Sequence, residues 1–306
     1  MEIIEYSNNI GKLPPSVIAL GFFDGVHVGH RALLRRAKEE AKELGLGFTV
    51  FTFFSESPGL KAGEGRLYST EEKCELLAAL GVDCAIVASF EELSGLSAEE
   101  FVKDVLVSRL SCRVAVTGED FRFGKGASGD TDELSRLMTV CGGRAIRVSD
   151  EKIDGSKIST SMIKEMLSSG NVRGARELLG EPYHIDAKVE HGRGVGRTLG
   201  IPTVNNSLPT GNDFIAKGVY LSLVKIDGRS YTGLTNIGTC PTFEERPTHA
   251  ETFILDFSGE IYEKKIRIYL IDYIREERRF SSERELALEI EKNVAFARGY
   301  RDLPTI

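Results

Sequence analysis

Hydrophobic residues in the first half of the chain follow two recurring patterns. Short apolar runs are typical of buried strands, and longer stretches with apolar residues every three or four positions are typical of amphipathic helices. The two patterns alternate, which predicts an α/β domain with a doubly wound parallel sheet covered by helices. The predicted strands are Val17–Leu20, Phe48–Phe53, Cys84–Ala88, Val114–Thr117 and Ala145–Val148, and the predicted helices are Arg31–Leu44, Glu71–Leu80, Ala98–Leu110 and Asp132–Cys141.

Several of these helices have recognisable ends. Ser69 with Glu72, and Ser97 with Glu100, have the spacing of a capping box, in which a serine and a glutamate side chain satisfy backbone N–H groups at a helix start. Gly45 stands where a glycine commonly ends a helix.

The second half of the chain has a different pattern. Two helices are predicted at Thr160–Ser168 and Val172–Leu179, after which Gly180-Glu181-Pro182 interrupts the helical pattern. Asp227-Gly228 between two apolar runs predicts a tight hairpin, and a last helix is predicted from Ser282 to Ala297. Together these features predict an antiparallel Greek-key β-barrel with a terminal helix. The predicted strands are Ile185–Val189, Val219–Ile226, Ser230–Thr235, Thr252–Phe257 and Lys265–Ile274.

Length and composition fit two cytosolic domains. We place the boundary of the 306-residue chain near Pro182, which gives domains 1–182 and 183–306. The formal net charge of −7 argues against a nucleic-acid partner, and the cysteines are scattered, as expected of reduced thiols. Neither a signal peptide nor a transmembrane segment is predicted. We therefore expect a cytoplasmic protein, monomeric or weakly homo-oligomeric, with no membrane partner.

The ten residues Gly21–His30 are the first candidate for chemistry. They lie between the predicted strand Val17–Leu20 and the predicted helix Arg31–Leu44, so two histidines separated by Val-Gly stand where a strand ends and a helix begins. Backbone N–H groups and the helix dipole favour an anion at such a place, and imidazoles can donate to a phosphoryl group. Two histidines at this spacing also occur simply as part of a turn, and that alternative stays open.

Two later segments bear on this candidate site. Lys157–Lys164 begins a predicted helix with hydroxyl groups and a lysine, which also suits phosphate, although plain helix capping by Ser159 or Thr160 is the structural alternative. Gly118–Lys125 follows a predicted strand and is similar to a P-loop only superficially. Its glycine spacing is one residue too long, and Gly126 stands where Ser or Thr is needed.

The second half has its own candidate at Gly192–Asn205. The glycine spacing does not match a dinucleotide-binding motif, which leaves a surface hairpin or a loop that wraps nucleotide phosphates. Thr203 and Asn205 are two residues apart in an extended segment, so both side chains point the same way. Their oxygens suit Mg²⁺. Glu251 and Asp256 are an odd number of residues apart, so their side chains are expected on opposite faces of a strand. Such a carboxylate is either a solvated edge charge or a general base.

The motifs of the first half resemble those of the bacterial bifunctional riboflavin kinase/FAD synthetases. The segments G-F-F-D-G-V-H-V-G-H, G-E-D-F-R-F-G-K and I-S-T-S-M-I-K occur in the family's order and spacing across residues 15 to 182. The resemblance implies AMP transfer from ATP to FMN, with His27 and His30 as catalytic residues on the ATP phosphates and Phe123 on the flavin. The ATP-binding residues that it implies are Gly21, Phe22, Asp24, Gly25, His27, Gly29, His30, Gly118, Asp120, Phe121, Ser159, Thr160 and Lys164.

The motifs of the second half resemble the riboflavin kinase domain of the same family. G-R-x-L-G-x-P-T-x-N, E-T-F-I-L-D-F and Ile274–Phe280 follow in the family's order between residues 183 and 298. The resemblance implies Mg-ATP binding, with Glu251 as the base that deprotonates the riboflavin 5′-hydroxyl and Arg275 on a segment that closes over the flavin. The kinase ATP-binding residues that it implies are Gly192, Gly196, Arg197, Gly200, Thr203 and Asn205, the last two also as metal ligands.

The chain departs from the family pattern at three places. Phe53–Pro58 replaces a Pro-His-Pro-like turn on the flavin side, Lys164 stands where the family usually has arginine, and Asn293 stands where its last helix often has aspartate. Lysine keeps the charge of arginine but loses its bidentate geometry.

The expected function is synthesis of FMN from riboflavin and of FAD from FMN, with ATP, Mg²⁺ and flavins as the small molecules involved. Three alternatives stay open. The chain is a riboflavin kinase with a degenerate first domain, a flavin-binding carrier or sensor without catalysis, or an adenylyltransferase whose acceptor is not FMN.

Overall fold

The computed structural model of the chain describes residues 1–55, 65–189, 203–208, 213–238 and 248–306. The chain divides into two compact units, Met1–Thr160 and Ser161–Ile306. The boundary that the sequence places near Pro182 stays a prediction. Among the described residues, no helix combines the length and the apolar character needed to cross a membrane.

The first unit contains the parallel sheet that the alternating pattern predicts. Its strands are β1 (Glu2–Glu5), β2 (Ser16–Leu20), β3 (Gly47–Phe53), β4 (Cys84–Ala88), β5 (Cys112–Gly118) and β6 (Arg144–Val148), with a small hairpin of β7 (Lys152–Ile153) and β8 (Ser156–Lys157) after them. The large sheet has the order β1-β4-β3-β2-β5-β6 with parallel pairing throughout the described strands. β2 is buried along its whole length, as expected of a strand covered on both faces.

The helices of the first unit begin largely where the sequence predicts. They are α1 (Val28–Leu44), α2 (Thr70–Ala79), α3 (Phe90–Leu93), α4 (Ala98–Glu100), a π-helix (Phe101–Arg109) and α5 (Thr131–Val140). Both predicted capping boxes are confirmed. Ser69 Oγ accepts from Glu72 N at 3.2 Å while the Glu72 carboxylate accepts from Ser69 N at 2.8 Å, and Ser97 and Glu100 do the same.

The structure differs from the prediction at the helix Ala98–Leu110. From Phe101 onwards the turns are π-helical, and Leu110 N donates to Val105 O, five residues back, at 3.0 Å. The buried residues of this helix are Phe101, Val102, Val105 and Leu106.

The strand order of the first sheet locates its binding edge. β2 lies between β3 and β5, and the chain runs from β2 to one side of the sheet before it returns to the other. Open α/β sheets bind ligands beyond the carboxyl ends of the strands at such a reversal. Gly21 directly follows β2, and Gly118 ends β5. Two of the predicted ligand-binding segments therefore start at this edge.

The second unit contains the antiparallel sheet. After α6 (Thr160–Ser168, of which Ser161 onwards belongs to this unit) and α7 (Val172–Leu179), its strands are β9 (His184–Lys188), β10 (Thr203–Ser207), β11 (Gly218–Ile226), β12 (Arg229–Gly238), β13 (His249–Ile254) and β14 (Lys265–Arg275). The order β10-β13-β12-β11-β14-β9 is a Greek key, since β10 lies beside the last strand of the β11–β12–β13 meander. The sheet curls so that its edges meet, and Asn206 Nδ2 donates to Lys188 O at 2.8 Å.

The C-terminal helix, Glu283–Gly299, packs on one face of the curled sheet. The predicted hairpin at Asp227-Gly228 is confirmed, with both residues at the positive φ that this turn requires. The predicted strand Thr252–Phe257 is wrong at its end, because β13 stops at Ile254. Asp256 lies in a turn with φ of 56° and binds Arg298 Nη2 at 2.8 Å, so alternation along a strand does not set its orientation.

Candidate active sites

The turn after β2 carries the first candidate site. Its backbone enters the left-handed region at three positions, Phe23 (φ 54°), Gly25 (φ 81°) and Val26 (φ 41°). A β-branched residue such as Val26 rarely adopts positive φ, so surrounding contacts must hold the turn in this shape. Asp24 makes two of them: its Oδ1 accepts from Leu67 N at 3.0 Å, and its carbonyl oxygen accepts from Thr160 Oγ1 at 3.1 Å.

His27 and His30 come together at the start of α1. His27 is the N-cap residue, and its Nδ1 accepts a hydrogen bond from His30 N at 3.3 Å. The two rings stack with centroids 3.7 Å apart and planes inclined by 17°, while the Phe23 ring meets His30 edge-on at 5.3 Å. Because Nδ1 of His27 is an acceptor, the neutral ring carries its proton on Nε2.

Both imidazoles are neutral at physiological pH. Burial lowers the pKa of His27 to about 4, and the charge of Lys157 adds to this effect while that of Asp150 opposes it. Burial also lowers the pKa of His30 well below its usual value, together with the charges of His27, Lys157 and Lys73. The pair therefore offers N–H donors to a ligand rather than positive charge.

A cavity of about 210 Å³, the polar cavity, opens beside the histidine pair. Lys157 Nζ lies in it, 2.5 Å from Asp120 Oδ2 and 2.9 Å from Asp150 Oδ2. Burial disfavours the charged lysine, but the two hydrogen bonds outweigh it and raise the pKa of Lys157, which therefore stays charged. The cavity is lined by His27, Gly29, His30, Leu33, Asp120, Val148, Ser149, Asp150, Glu151, Lys157, Ile158, Ser159 and Thr160.

Two further cavities lie at the carboxyl edge of the parallel sheet. One, of about 440 Å³, is the edge cavity, and six of the predicted residues line it: Gly21, Phe22, His30, Gly118, Asp120 and Phe121. The other, of about 240 Å³, is the aromatic cavity, where Phe121 and Phe123 stack with centroids 5.7 Å apart. Its aromatic lining consists of Phe51, Phe53, Phe90, Phe101, Phe121 and Phe123.

Three of the predicted first-half residues lie outside these cavities. Asp24 and Gly25 are buried within the turn. Lys164 belongs to the second unit, where its Nζ lies 5.8 Å from the centroid of the Phe214 ring. Of the altered segment Phe53–Pro58, the Phe53 ring stacks on Phe22 with centroids 6.5 Å apart, and residues 56–58 lie outside the described part of the chain.

The second candidate site lies on β10, β13 and β12. Asn205, Glu251 and Asn236 are register partners across the three strands, and Thr203 lies opposite Phe253 two residues away. The predicted common orientation of Thr203 and Asn205 follows from this alternation. Thr203 and Glu251 line a cavity of about 320 Å³, the barrel cavity, which the C-terminal helix closes on one side.

Arg275 enters the barrel cavity from the end of β14. Its Nε lies 3.5 Å from Glu289 Oε1 on the C-terminal helix, and its guanidinium lies 5.6 Å from the centroid of Phe280. Arg278 Nη2 reaches Glu289 Oε2 at 2.7 Å. Burial lowers the pKa of Arg275. Glu289 is only 12% exposed and joins both arginines, and sequence reasoning missed it because its partners come from β14 and the segment after it.

Four predicted kinase residues, Gly192, Gly196, Arg197 and Gly200, lie outside the described residues. In the first unit, the sequence analysis did not assign roles to Asp150 and Lys157. A signal for Lys157 was present, since it opens the Lys157–Lys164 segment, whereas Asp150 stands in a polar loop without a motif.

Comparison with protein families gives two matches, one for each half. The FAD synthetase family model matches residues 10–162, and the riboflavin kinase family model matches residues 179–301. The bifunctional riboflavin kinase/FMN adenylyltransferase of Pseudomonas fluorescens is 35% identical over 92% of this chain and 92% of its own length. The chain belongs to the bifunctional riboflavin kinase/FMN adenylyltransferase family.

Other comparisons agree with this membership. The bifunctional enzyme of Bacillus subtilis is 36% identical over 91% of this chain and 90% of its own length. A crystal structure from Streptococcus pneumoniae, named as a macrolide-efflux protein, is 29% identical, with a TM-score of 0.89 over 98% of this chain and 100% of that one. The predicted family, transferase class and order of the two domains are thus confirmed, and the family assignment rests on the family models and curated relatives.

Proposed function

We propose that this member of the bifunctional riboflavin kinase/FMN adenylyltransferase family performs both reactions of its family. The second unit phosphorylates riboflavin to FMN, and the first unit transfers AMP from ATP to FMN to give FAD. The observation that carries the proposal is that each half matches its own family model and has its own cavity where the expected polar side chains converge.

In the first unit, the polar cavity takes the triphosphate of ATP. The start of α1, the Nε2–H of His27, His30 and the hydroxyl of Ser159 supply neutral donors, and Lys157 supplies the charge. Thr160 lines the same cavity while its hydroxyl donates to the Asp24 carbonyl and so holds the turn. An oxygen of the FMN phosphate attacks the α-phosphorus, the bond to the β-phosphate breaks, and pyrophosphate leaves. Because that phosphate is already a nucleophile, the protein needs only to position and to stabilise charge.

The two neighbouring cavities take the rest of the substrates. Gly118, Asp120 and Phe121 border the adenosine in the edge cavity, and Phe123 contacts the flavin ring in the aromatic cavity. Stacked aromatic side chains suit a planar flavin. Asp24 and Gly25 support ATP binding through the shape of the turn, and the predicted role of Lys164 in ATP binding stays a prediction.

In the second unit, Glu251 is the general base. It accepts the proton of the riboflavin 5′-hydroxyl, the hydroxyl oxygen attacks the γ-phosphorus, and the bond to the bridging oxygen breaks to release ADP. His249 Nε2 lies 3.9 Å from the Glu251 carboxylate, and Arg275, which lines the same barrel cavity, borders the flavin. The residues proposed to bind the nucleotide, Gly192, Gly196, Arg197 and Gly200, lie outside the described part of the chain.

Thr203 and Asn205 fit a magnesium site. Thr203 lines the barrel cavity, and Asn205 is the register partner of Glu251, so hard oxygen donors lie beside the proposed base. When bound, Mg²⁺ neutralises charge on the ATP phosphates. We place both activities in the cytoplasm, in a monomer or weak homo-oligomer without nucleic-acid or membrane partners.

Flavin chromatography tests the proposal. The full-length protein is incubated with Mg-ATP and either riboflavin or FMN, and the products are separated. Production of FMN without FAD, at long times and high enzyme, would leave only the kinase. No product from either substrate would leave a flavin-binding carrier or sensor, and AMP transfer to another acceptor would replace FMN as the substrate.

Glu251→Gln assigns the kinase site. The substitution removes the basic carboxylate, so FMN formation is expected to fall by at least about a hundredfold, while FAD formation from added FMN continues. Asp256→Asn is the matched control, because Asp256 is an exposed acid after the same strand and binds Arg298. Equal loss in both variants would contradict the role of Glu251.

A further inference from the structure

A lysine that lines none of the described cavities connects two of the residues that line them. Lys73 lies on α2 and is fully buried, with 0% of its surface exposed. Its Nζ donates to Phe53 O at 2.5 Å and contacts Phe22 O at 3.4 Å. It also lies 4.8 Å from the centroid of the Phe22 ring, within the range of a cation–π contact.

The start of α2 is anchored, and this fixes the position of Lys73. The capping box of Ser69 and Glu72 defines the start of α2, and Thr70 Oγ1 accepts from Ser55 N at 2.9 Å, just beyond β3. One turn of helix therefore separates the anchored end of α2 from the ammonium group. Lys73 is held in place independently of any ligand.

The two carbonyls belong to adjacent strands at the binding edge. Phe53 is the last residue of β3, and Phe22 lies two residues after the end of β2. Both residues line the edge cavity. Thr52 Oγ1 donates to the same Phe22 carbonyl at 2.8 Å without carrying charge. The contacts of Lys73 thus tie the start of the histidine turn to the end of the neighbouring strand.

We propose that Lys73 is a positioning residue of the adenylyltransferase: it fixes Phe22 and Phe53 at the cavity wall, and its charge opposes protonation of His30. The inference rests on the proposed FMN adenylyltransferase activity of the first unit. Two protonated rings stacked 3.7 Å apart repel each other, so the stack is stable while His30 is neutral. Lys73 is connected to this ring through the backbone, because it contacts Phe22 and the ring of the next residue, Phe23, meets His30 at 5.3 Å.

The electrostatic part acts on His30. Its pKa is lowered first by burial and then by His27, Lys157 and Lys73. The other charged groups that share the edge cavity with it are Arg66, Asp120 and Arg122. Removing the Lys73 charge leaves these groups unchanged, so the pKa of His30 should rise towards its usual value.

Two variants separate the contributions of charge and contact. Lys73→Met removes both the charge and the donor, and Lys73→Gln removes the charge but keeps an amide donor. Thr52→Val removes the uncharged donor to the same carbonyl. Lys103→Met is the matched control, because Lys103 is an exposed lysine of the same unit paired with Glu99.

Two readouts are needed in the full-length protein. The first is kcat/KM for FAD formation from FMN as a function of pH, with riboflavin kinase activity as the internal control. The second is the NMR titration of the histidine ring protons, which is tractable because the chain has five histidines; His30→Gln assigns the resonance. The titration requires no activity, so it remains informative if the wild type makes no FAD and the proposed function itself fails.

Lys73→Met is expected to lower kcat/KM for FAD formation by about ten- to a hundredfold, as small misplacements in a reacting site do. Lys73→Gln should lose less. Both should move the His30 titration and the acid limb of the rate profile to higher pH, whereas Thr52→Val should lower the rate without moving either. Kinase activity should change less than twofold.

Wild-type FAD formation by folded Lys73→Met would overturn the proposal. A lower rate with an unmoved His30 titration would reduce Lys73 to a structural residue and would also overturn it. If Lys73→Met does not fold, Lys73→Gln is used for the same test. An unmoved His30 titration in Lys73→Gln would overturn the proposal.

Discussion

His27 has one role that the structure shows and one that we propose, and substitution can distinguish them. Its Nδ1 caps α1 by accepting from His30 N, and its Nε2–H is the proposed phosphate donor. Asparagine is a good N-cap residue with no imidazole, and alanine supplies neither group. His27→Asn therefore keeps the cap and removes the donor, whereas His27→Ala removes both.

The contact geometry sets the size of the effect on stability. At 3.3 Å the capping bond is long, which places it at the weak end of the capping range, about 0.5 kcal/mol. A loss of this size lowers the melting temperature of a unit of roughly this length by about 1–2 °C. His27→Asn should melt within that margin of the wild type and above His27→Ala.

The effect on catalysis should be much larger and equal in the two variants. Removing one donor from a developing phosphoryl charge costs about 10²–10³ in rate. FAD formation from FMN is measured by chromatography, and FMN formation from riboflavin by the same molecules is the control. Near-normal FAD formation by His27→Asn would show that the histidine only completes a turn, and loss of both activities would contradict separate sites.

Two further predictions concern the second unit. Glu289→Gln should lower riboflavin kinase kcat/KM by about tenfold or more, because Arg275 and Arg278 lose the carboxylate that orients them. Glu291→Gln on the same helix is the control. Equal kcat/KM values in the two variants would contradict the positioning role of Glu289. His184 is buried, and burial together with the Arg267 charge lowers its pKa to about 3. As the pH falls below 6.5, the unfolded chain therefore protonates this histidine before the folded protein does, which lowers the free energy of unfolding. The contribution of His184 to this slope is at most about 1.4 kcal/mol per pH unit, in addition to the contributions of His27 and His30. His184→Phe should flatten that part of a plot of unfolding free energy against pH between 7 and 4, and an unchanged slope would refute the assignment.

Elements with a strong local pattern could be predicted from the sequence. Cys84–Ala88, Thr160–Ser168 and Val172–Leu179 begin and end as predicted, because apolar spacing and end signals agree there. β1 was missed, since four residues with two isoleucines show no period. Its strand structure depends on pairing with β4, about eighty residues away.

The residues of the candidate sites also form two groups, those whose contacts follow from sequence spacing and those that only the fold brings together. His27 and His30 are neighbours on one helical turn, so their spacing alone predicts that they meet. Sequence spacing does not predict the contacts of Lys73. A lysine in an amphipathic helix is normally a solvent-facing residue, and its contacts with Phe22 and Phe53 are 51 and 20 residues away in sequence.

The residues of Gly21–His30 contribute to the proposed ATP site in two ways: some line the polar cavity, and others hold the shape of the turn. His27, Gly29 and His30 line the polar cavity, where a ligand meets them directly. Asp24 and Val26 are buried and do not line it, and Asp24 accepts hydrogen bonds that hold the turn. Since burial lowers the pKa of both imidazoles and leaves them neutral, the proposed phosphate site depends on donor geometry and Lys157 rather than on histidine charge. Any change that loosens the turn should therefore weaken adenylyl transfer even when every residue that touches the nucleotide is intact.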